Sequence, residues 1–266
     1  MAEPKPAPVP APPPQGAKTA IGEQDPALTI CQDLWGHGNL SPLDDPFESR
    51  ALVAVTPNKK SKLAFVGRHL GRRLHRFSKE SGVWIDVFES EPELSRLVKE
   101  KGDKLMFKTW ENNPALMGEG KFTEVIACQT SQLDAPAAVY GLIAKSLRPE
   151  GRLFVADLAL ETPTPLAGPE LFQRVRPFAE HKQALSAAGL RLGEETDLSK
   201  DIMTKIRGGF QACVDKLVEL RTMEEPAKRQ MTLAFGAQLE IWATVALLLE
   251  TGKLSARVVM ASRPGA

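Results

Sequence analysis

Residues 121–160, KFTEVIACQTSQLDAPAAVYGLIAKSLRPEGRLFVADLAL, read as strand, loop, helix, turn and strand. Residues 124–128 are a short apolar run, the pattern of a strand buried on both faces. Residues 129–134 form a polar loop at its carboxyl end. Residues 135–147 are helix-forming, with Val139, Leu142, Ile143 and Leu147 on one stripe. Arg148, Pro149, Glu150 and Gly151 break the helix and turn the chain. Residues 152–158 read as a second buried strand. Two parallel strands joined by a covering helix form a right-handed crossover, and sheets built this way bind ligands at the carboxyl ends of their strands.

These same residues carry a resemblance. FTEVIAC, then the loop, then SLRPEGRLFVAD is similar to the central part of the class I S-adenosylmethionine-dependent methyltransferases, in particular the small-molecule, quinone-biosynthesis type. In that family a strand opening Phe-Asp leads to a helix and then, through Leu-(Lys/Arg)-Pro-Gly-Gly, into the next strand. Here Thr123 stands at the Asp position and Glu150 at the first Gly position. The resemblance runs over about residues 30–264. It implies an α/β fold: a Rossmann-like, doubly wound, mainly parallel sheet with helices on both faces and an antiparallel hairpin at one edge.

Toward the amino terminus, residues 62–66 read as the first strand of this domain and residues 70–81 as a helix. A glycine turn between strand and helix sets backbone N–H groups and the positive helix end beside a ligand. The family carries Gly-x-Gly-x-Gly in this turn. Gly67 and Gly71 match the outer glycines, with Arg68 between them; His69 stands at the middle glycine and Phe65 at the usual acid. Arg68, Arg72 and Arg76 are spaced to share one helix face, opposite a stripe of Leu70, Leu74 and Phe77. That basic face reads as solvated rather than as a nucleic-acid surface. Residues 83–88 read as the second strand. Glu89 falls where the family holds both ribose hydroxyls with a carboxylate, which supplies two adjacent acceptors to a diol. A cap for the helix that follows Pro92 is the other reading of Glu89. Ser90 adjoins it. Residues 104–109 read as the third strand, and Glu111 lies nearest the family's adenine contact. Gln129 and Thr130 stand at the mouth of the fourth strand, where the methionine portion and the acceptor meet. The resemblance thus implies S-adenosylmethionine as cofactor, held by Gly67, Arg68, His69, Gly71, Glu89, Ser90, Glu111, Gln129 and Thr130, and a small organic acceptor. No nucleophile–base pair stands out, and methyl transfer requires none, because the sulfonium makes the methyl group electrophilic.

The flanks complete the plan. Residues 1–24, with PKPAPVPAPPPQG at their centre, are a Pro/Ala-rich tail that reads as disordered and lacks the apolar run of a secretory signal. Residues 25–61 read as a helix, capped by Asp25 with Pro26 at its first position, followed by a Gly- and Pro-containing lid. In the lid, Trp35, His37 and Asn39 either face the site or, for Trp35, pack the lid on the domain. The α/β domain spans 62–266, with two long helices at about 200–250 inserted as a cap. His181 is a candidate base, read as a surface residue of a helix over 180–188. Cys31, Cys128 and Cys213 show no CxxC and no metal spacing, which suits a reducing, cytoplasmic setting. A net charge of +1 over 266 residues gives no bulk attraction to nucleic acid or membrane surfaces. No uninterrupted apolar run reaches bilayer length. A nicotinamide dehydrogenase is disfavoured, since no Gly-x-Gly-x-x-Gly follows the first strand and Tyr140 is the only tyrosine. Two readings stay open: an active methyltransferase, and a methyltransferase-fold binding or assembly subunit, with a protein partner, that has lost catalysis.

Overall fold

The computed structural model describes residues 25–265 except 69, 71–72, 91, 93–95, 97–101, 112, 114 and 163–169. The Pro/Ala-rich tail and most of the helix expected after Pro92 therefore lie outside the described residues, as do His69, Gly71 and Arg72.

The chain opens with α1, Pro26–Trp35, whose first turn is capped by Asp25: its Oδ1 accepts from the N–H groups of Ala27 at 2.8 Å and Leu28 at 3.4 Å. After a loop comes α2, Asp44–Val55, which begins inside the stretch read as lid. Asp44 sits on the donors of that loop, taking the Leu40 N–H at 2.7 Å, and two acidic residues occupy the positive end of the helix. Then follow β1 (Leu63–Gly67), α3 (Arg73–Ser81), β2 (Ile85–Glu89), β3 (Leu105–Thr109), β4 (Phe122–Cys128), α4 (Pro136–Ser146) and β5 (Leu147–Leu160). The chain continues through α5 (Glu170–Arg174), the two-residue β6 (Arg176–Pro177), α6 (Phe178–Ala187) and β7 (Arg191–Asp197). It closes with α7 (Ser199–Thr222), α8 (Ala227–Glu250) and β8 (Leu254–Ser262).

The strands form one sheet in the order β3-β2-β1-β4-β5-β8-β7, with β6 beside β5. The five strands β3 to β5 are mutually parallel, and β8 runs antiparallel to both β5 and β7. This is the doubly wound sheet with an antiparallel edge that the resemblance implies. Alternation along the strands divides two cores. Phe65, Ile126 and Phe154 face α1, α2, α3 and the α7–α8 pair, whereas Val66, Val125, Ala127 and Val155 face α4 and α6.

Three local details differ from the sequence expectation. The Arg148–Gly151 turn is drawn into β5, where the β4–β5 register slips between Phe122 and Glu124. Glu150 there is left-handed, with φ 62°, and its N–H donates to the Arg263 carbonyl at 3.0 Å. That is the backbone state for which glycine is the usual residue. Second, Arg68 stands in the turn before α3 rather than on the helix, so it shares no helix face with Arg76. Arg76 pairs with Glu80 and Glu48, and Leu70, Leu74 and Phe77 form the buried stripe as expected. Third, α8 is long and apolar enough, by length and composition alone, to cross a membrane, with a mean hydropathy of 1.6. Counting only uninterrupted runs misses it, because a helix averages over its length and Glu240 is a single break. Here Trp242, Val245 and Leu249 of α8 are buried in the core.

Trp35, at the end of α1, joins that helix to the core. Its ring meets Trp242 edge-on at 5.9 Å, and both indole N–H groups donate to Gln238 Oε1, at 3.2 and 3.0 Å. Packing is therefore its role. Asn39 is buried and donates to the Trp35 carbonyl at 2.8 Å, while His37 is exposed.

Candidate functional site

Strand register builds the site. Gly67 pairs with Glu89 and with Cys128, Glu89 pairs with Thr109, and Cys128 pairs with Ala156. Four parallel strands, β1 to β4, thus end level, and the next residue of each, Arg68, Ser90, Trp110 and Gln129, lies along one carboxyl edge; Asp157, one residue past Ala156 in β5, which runs on to Leu160, borders that edge. Gly67, Arg68, Glu89, Ser90, Gln129 and Thr130, reached separately from sequence, are all on or beside this edge. Glu111 is one residue further out and exposed.

The edge is polar and buried. Glu89 is 0% exposed, and its Oε1 accepts from the Leu70 N–H at 3.3 Å, which ties the carboxylate to the turn after β1. The first turn of the helix on which the cap reading depends lies outside the described residues. Gly67 lies so close to β4 that a Cβ would stand 2.1 Å from the Cys128 carbonyl oxygen, so close strand packing by itself requires glycine there. Gln129 is left-handed at φ 54° and 8% exposed, held by its N–H to the Ala156 carbonyl at 2.9 Å. Backbone held in this region at the end of a strand is a common feature of ligand sites. Among the described residues, the buried Ser90 Oγ, Trp110 Nε1 and Gln129 Nε2 have no hydrogen-bond partner. Burying such groups unpaired is costly, and a ligand that supplies partners removes that cost.

Beside the edge lies a second polar group, of which the sequence marks Thr130 and His181 separately but not Asp157 or Tyr140. Asp157, Thr130, Ser131, Tyr140 and His181 are all buried. Asp157 accepts from the Thr130 hydroxyl, the Ser131 N–H and the Ser131 hydroxyl, each at 3.0 Å. Tyr140 OH lies 3.1 Å from Thr130 Oγ1 and 2.7 Å from His181 Nδ1. His181 is 0% exposed, so the expectation of a surface histidine is overturned: α6 turns it inward against α4, where Phe178 stacks on it at 6.4 Å. Burial holds its imidazole below the ordinary histidine range, opposed by the charges of Asp157 and Glu180. Burial, then the Asp157 charge, pushes the Tyr140 phenol up. A lone tyrosine inside an apolar helix stripe was the available signal, since a buried phenol needs a partner.

Elsewhere, Trp35, Gly36, Asp45, Lys205 and Gly208 line a cleft between α1, α2 and α7. None of the strand-end residues lines it. The three cysteines are free and buried, and burial pushes the Cys31 thiol up to about 12, which suits inert packing residues. No group of three or more His, Cys, Asp or Glu side chains placed to hold a metal ion occurs among the described residues.

No family model matches the chain, and no curated protein sequence does. Solved structures do. Haemonchus contortus phosphoethanolamine N-methyltransferase 2, in complex with phosphomonomethylethanolamine and S-adenosylhomocysteine, superposes with a TM-score of 0.70 at 14% identity. The match covers 89% of this chain and 57% of that one, so this chain spans little more than half the length of that enzyme. An O-methyltransferase from a multienzyme of Brevibacillus brevis, with S-adenosylhomocysteine, gives 0.62 at 12% identity over 91% of this chain and 80% of that one. The [4+2]-cyclase SpnF gives 0.64 at 16% identity over 84% and 82%. Identities this low establish the fold: it is that of the class I S-adenosylmethionine-dependent methyltransferases.

Proposed function

We propose that this chain binds S-adenosylmethionine along the carboxyl edge of β1–β4 and transfers its methyl group to a small organic acceptor. The observation that carries the reading is Glu89: a fully buried carboxylate at the end of β2, level with Gly67, beside three buried polar atoms without a partner among the described residues. That donor set fits the cofactor. Glu89 would supply paired acceptors for the ribose diol, Ser90 and Trp110 would serve the base, and Gln129 and Thr130 would serve the methionine portion. When bound, the cofactor supplies an electrophilic methyl group. The chain's part is to orient the acceptor and exclude water. The buried free thiols fit a cytoplasmic setting.

A second reading has its own observation. Gly67 is accounted for by strand packing, Glu89 already holds a backbone N–H, and His69 stands where the family has its middle glycine. A fold that also hosts a [4+2]-cyclase need not transfer methyl groups. On this reading the chain is a binding or assembly subunit. Calorimetric titration with S-adenosylmethionine and S-adenosylhomocysteine separates the two. Saturable binding is expected; silence at millimolar ligand rejects the cofactor, and recovery of binding in His69→Gly identifies a blocked remnant.

A further inference from the structure

Proton accounting along the buried polar chain determines the state of His181. Asp157, as a carboxylate, only accepts. The Thr130 hydroxyl donates its one proton to Asp157 Oδ2 at 3.0 Å. Thr130 Oγ1 can then only accept from Tyr140 OH, 3.1 Å away. With the phenol proton directed at Thr130, the Tyr140 oxygen accepts from His181 Nδ1 at 2.7 Å. Ser131 completes the Asp157 shell through its N–H and hydroxyl, both at 3.0 Å, so the carboxylate has no need of a further donor from the chain. The sequence of donors runs one way, from His181 through Tyr140 and Thr130 to Asp157. A neutral imidazole has one N–H, and here it is on Nδ1. Nε2 is therefore a bare lone pair, buried and without a partner among the described residues.

We infer that His181 Nε2 is the seat for a proton-bearing group, the hydroxyl or amine of the methyl acceptor, with Tyr140, Thr130 and Asp157 as positioning residues that hold the ring in its Nδ1–H tautomer. This rests on the methyl-transfer reading for its chemistry. When an acceptor oxygen or nitrogen attacks the methyl carbon, the C–S bond breaks with its electron pair going to sulfur, a C–O or C–N bond forms, and one proton must leave the acceptor. His181 Nε2 receives that proton, and Asp157 at the far end of the chain offsets the imidazolium charge. Thr130, an inner member of this chain of donors, is the second residue past β4, so the relay passes beside the strand-end edge proposed for the cofactor. The groups facing the ring are Asp157 on β5, Arg176 on β6 and Glu180 on its own helix. Phe178 and Tyr140 give the seat an aromatic wall. In this structure Nε2 is covered, so the seat requires the acceptor to displace the groups that cover it.

The test is nitrogen NMR of the imidazoles in the full chain, with the His181 signals assigned by their loss in His181→Gln. The expected wild-type state is neutral with the proton on Nδ1. Thr130→Ser, which keeps the hydroxyl, retains that tautomer, whereas Thr130→Val and Tyr140→Phe lose it. A wild-type proton on Nε2, or a tautomer indifferent to Tyr140→Phe, overturns the relay even if every variant folds. With S-adenosylhomocysteine present, phenol is then added as a compact hydroxyl donor and anisole as its methylated, protonless counterpart. Phenol is expected to shift the Nε2 resonance and anisole to leave it. No shift with either, the outcome for a structural histidine facing a trapped water, rejects the seat. A phenol shift in a protein that binds no S-adenosylhomocysteine keeps the seat and rejects methyl transfer; binding of S-adenosylhomocysteine without a phenol shift does the reverse.

Discussion

Glu89 is buried completely, and a buried carboxylate is tolerated only where donors surround it. One donor is the Leu70 N–H; a ribose diol offers two more. Losing both ribose hydrogen bonds costs about 2–4 kcal/mol, from charge-assisted bonds of about 1.5–3 kcal/mol each with imperfect additivity. Glu89→Ala is therefore expected to weaken S-adenosylhomocysteine binding by ~30-fold or more, measured by calorimetry; an unchanged dissociation constant removes Glu89 from the site. Glu150 makes the opposite case at a residue with no ligand role. Its φ of 62° places an L side chain in the left-handed region, and the side chain is exposed. Relief of that strain outweighs the added freedom of glycine in the unfolded chain, so Glu150→Gly is expected to raise unfolding free energy by about 1 kcal/mol, read from urea denaturation.

Among the elements, α7 and α1 meet through a glycine. A Cβ at Gly209 would stand 2.2 Å from the Trp35 ring and 2.8 Å from the Leu34 carbonyl oxygen. The ring cannot retreat, because Trp242 is edge-on to it and its N–H is bound to Gln238. Gly209→Ala is thus expected to destabilise by about 1–3 kcal/mol through overpacking. One residue earlier, Gly208 has nothing within 4 Å of a Cβ. There the helix gains propensity alone, and Gly208→Ala is expected to stabilise by roughly 0.5–1 kcal/mol. Thermal melts of the two variants should move in opposite directions; parallel shifts would show that α7 is not seated on Trp35. The α2 element is fastened differently. Arg152 on β5 donates to the Val55 carbonyl at 2.6 Å and the Ala54 carbonyl at 3.3 Å, where α2 ends with bare acceptors. No local pattern in residues 44–55 announces an arginine that lies about a hundred residues away.

For the whole molecule, His181 makes stability depend on pH. Its folded value lies below the ordinary 6.5 because burial disfavours the charged ring. Between the two values the unfolded chain holds a proton that the folded chain lacks, so stability rises with pH there. Its contribution is intact above pH 6.5 and is lost as pH falls from 6.5 through the folded value. Urea midpoints on either side of pH 6.5 should therefore differ more in wild type than in His181→Gln. An equal difference in both proteins would assign the acid sensitivity to other groups.

Residues 121–160 were enough to place β4, α4 and β5 in a parallel crossover, because apolar runs and helical stripes are local consequences of burial that repeat within a few residues. The same reasoning located β1, β2, β3 and the long helices α7 and α8, while Gly67, Glu89 and Gln129 are marked by the family resemblance and not by periodicity. What the tertiary structure alone decided is which distant side chains share a space. Trp35 could face a ligand or pack, and Trp242, about two hundred residues later, decides that it packs. His181 read as a surface base on its own helix, and contact with Tyr140 across α4 and α6 makes it the buried end of a polar chain. Trp110 and Asp157 became candidate site residues only once the strand register set them level with the ends of β1, β2 and β4. Register and helix–helix contact depend on pairings between segments far apart in sequence, and neither leaves a periodic trace in either segment alone.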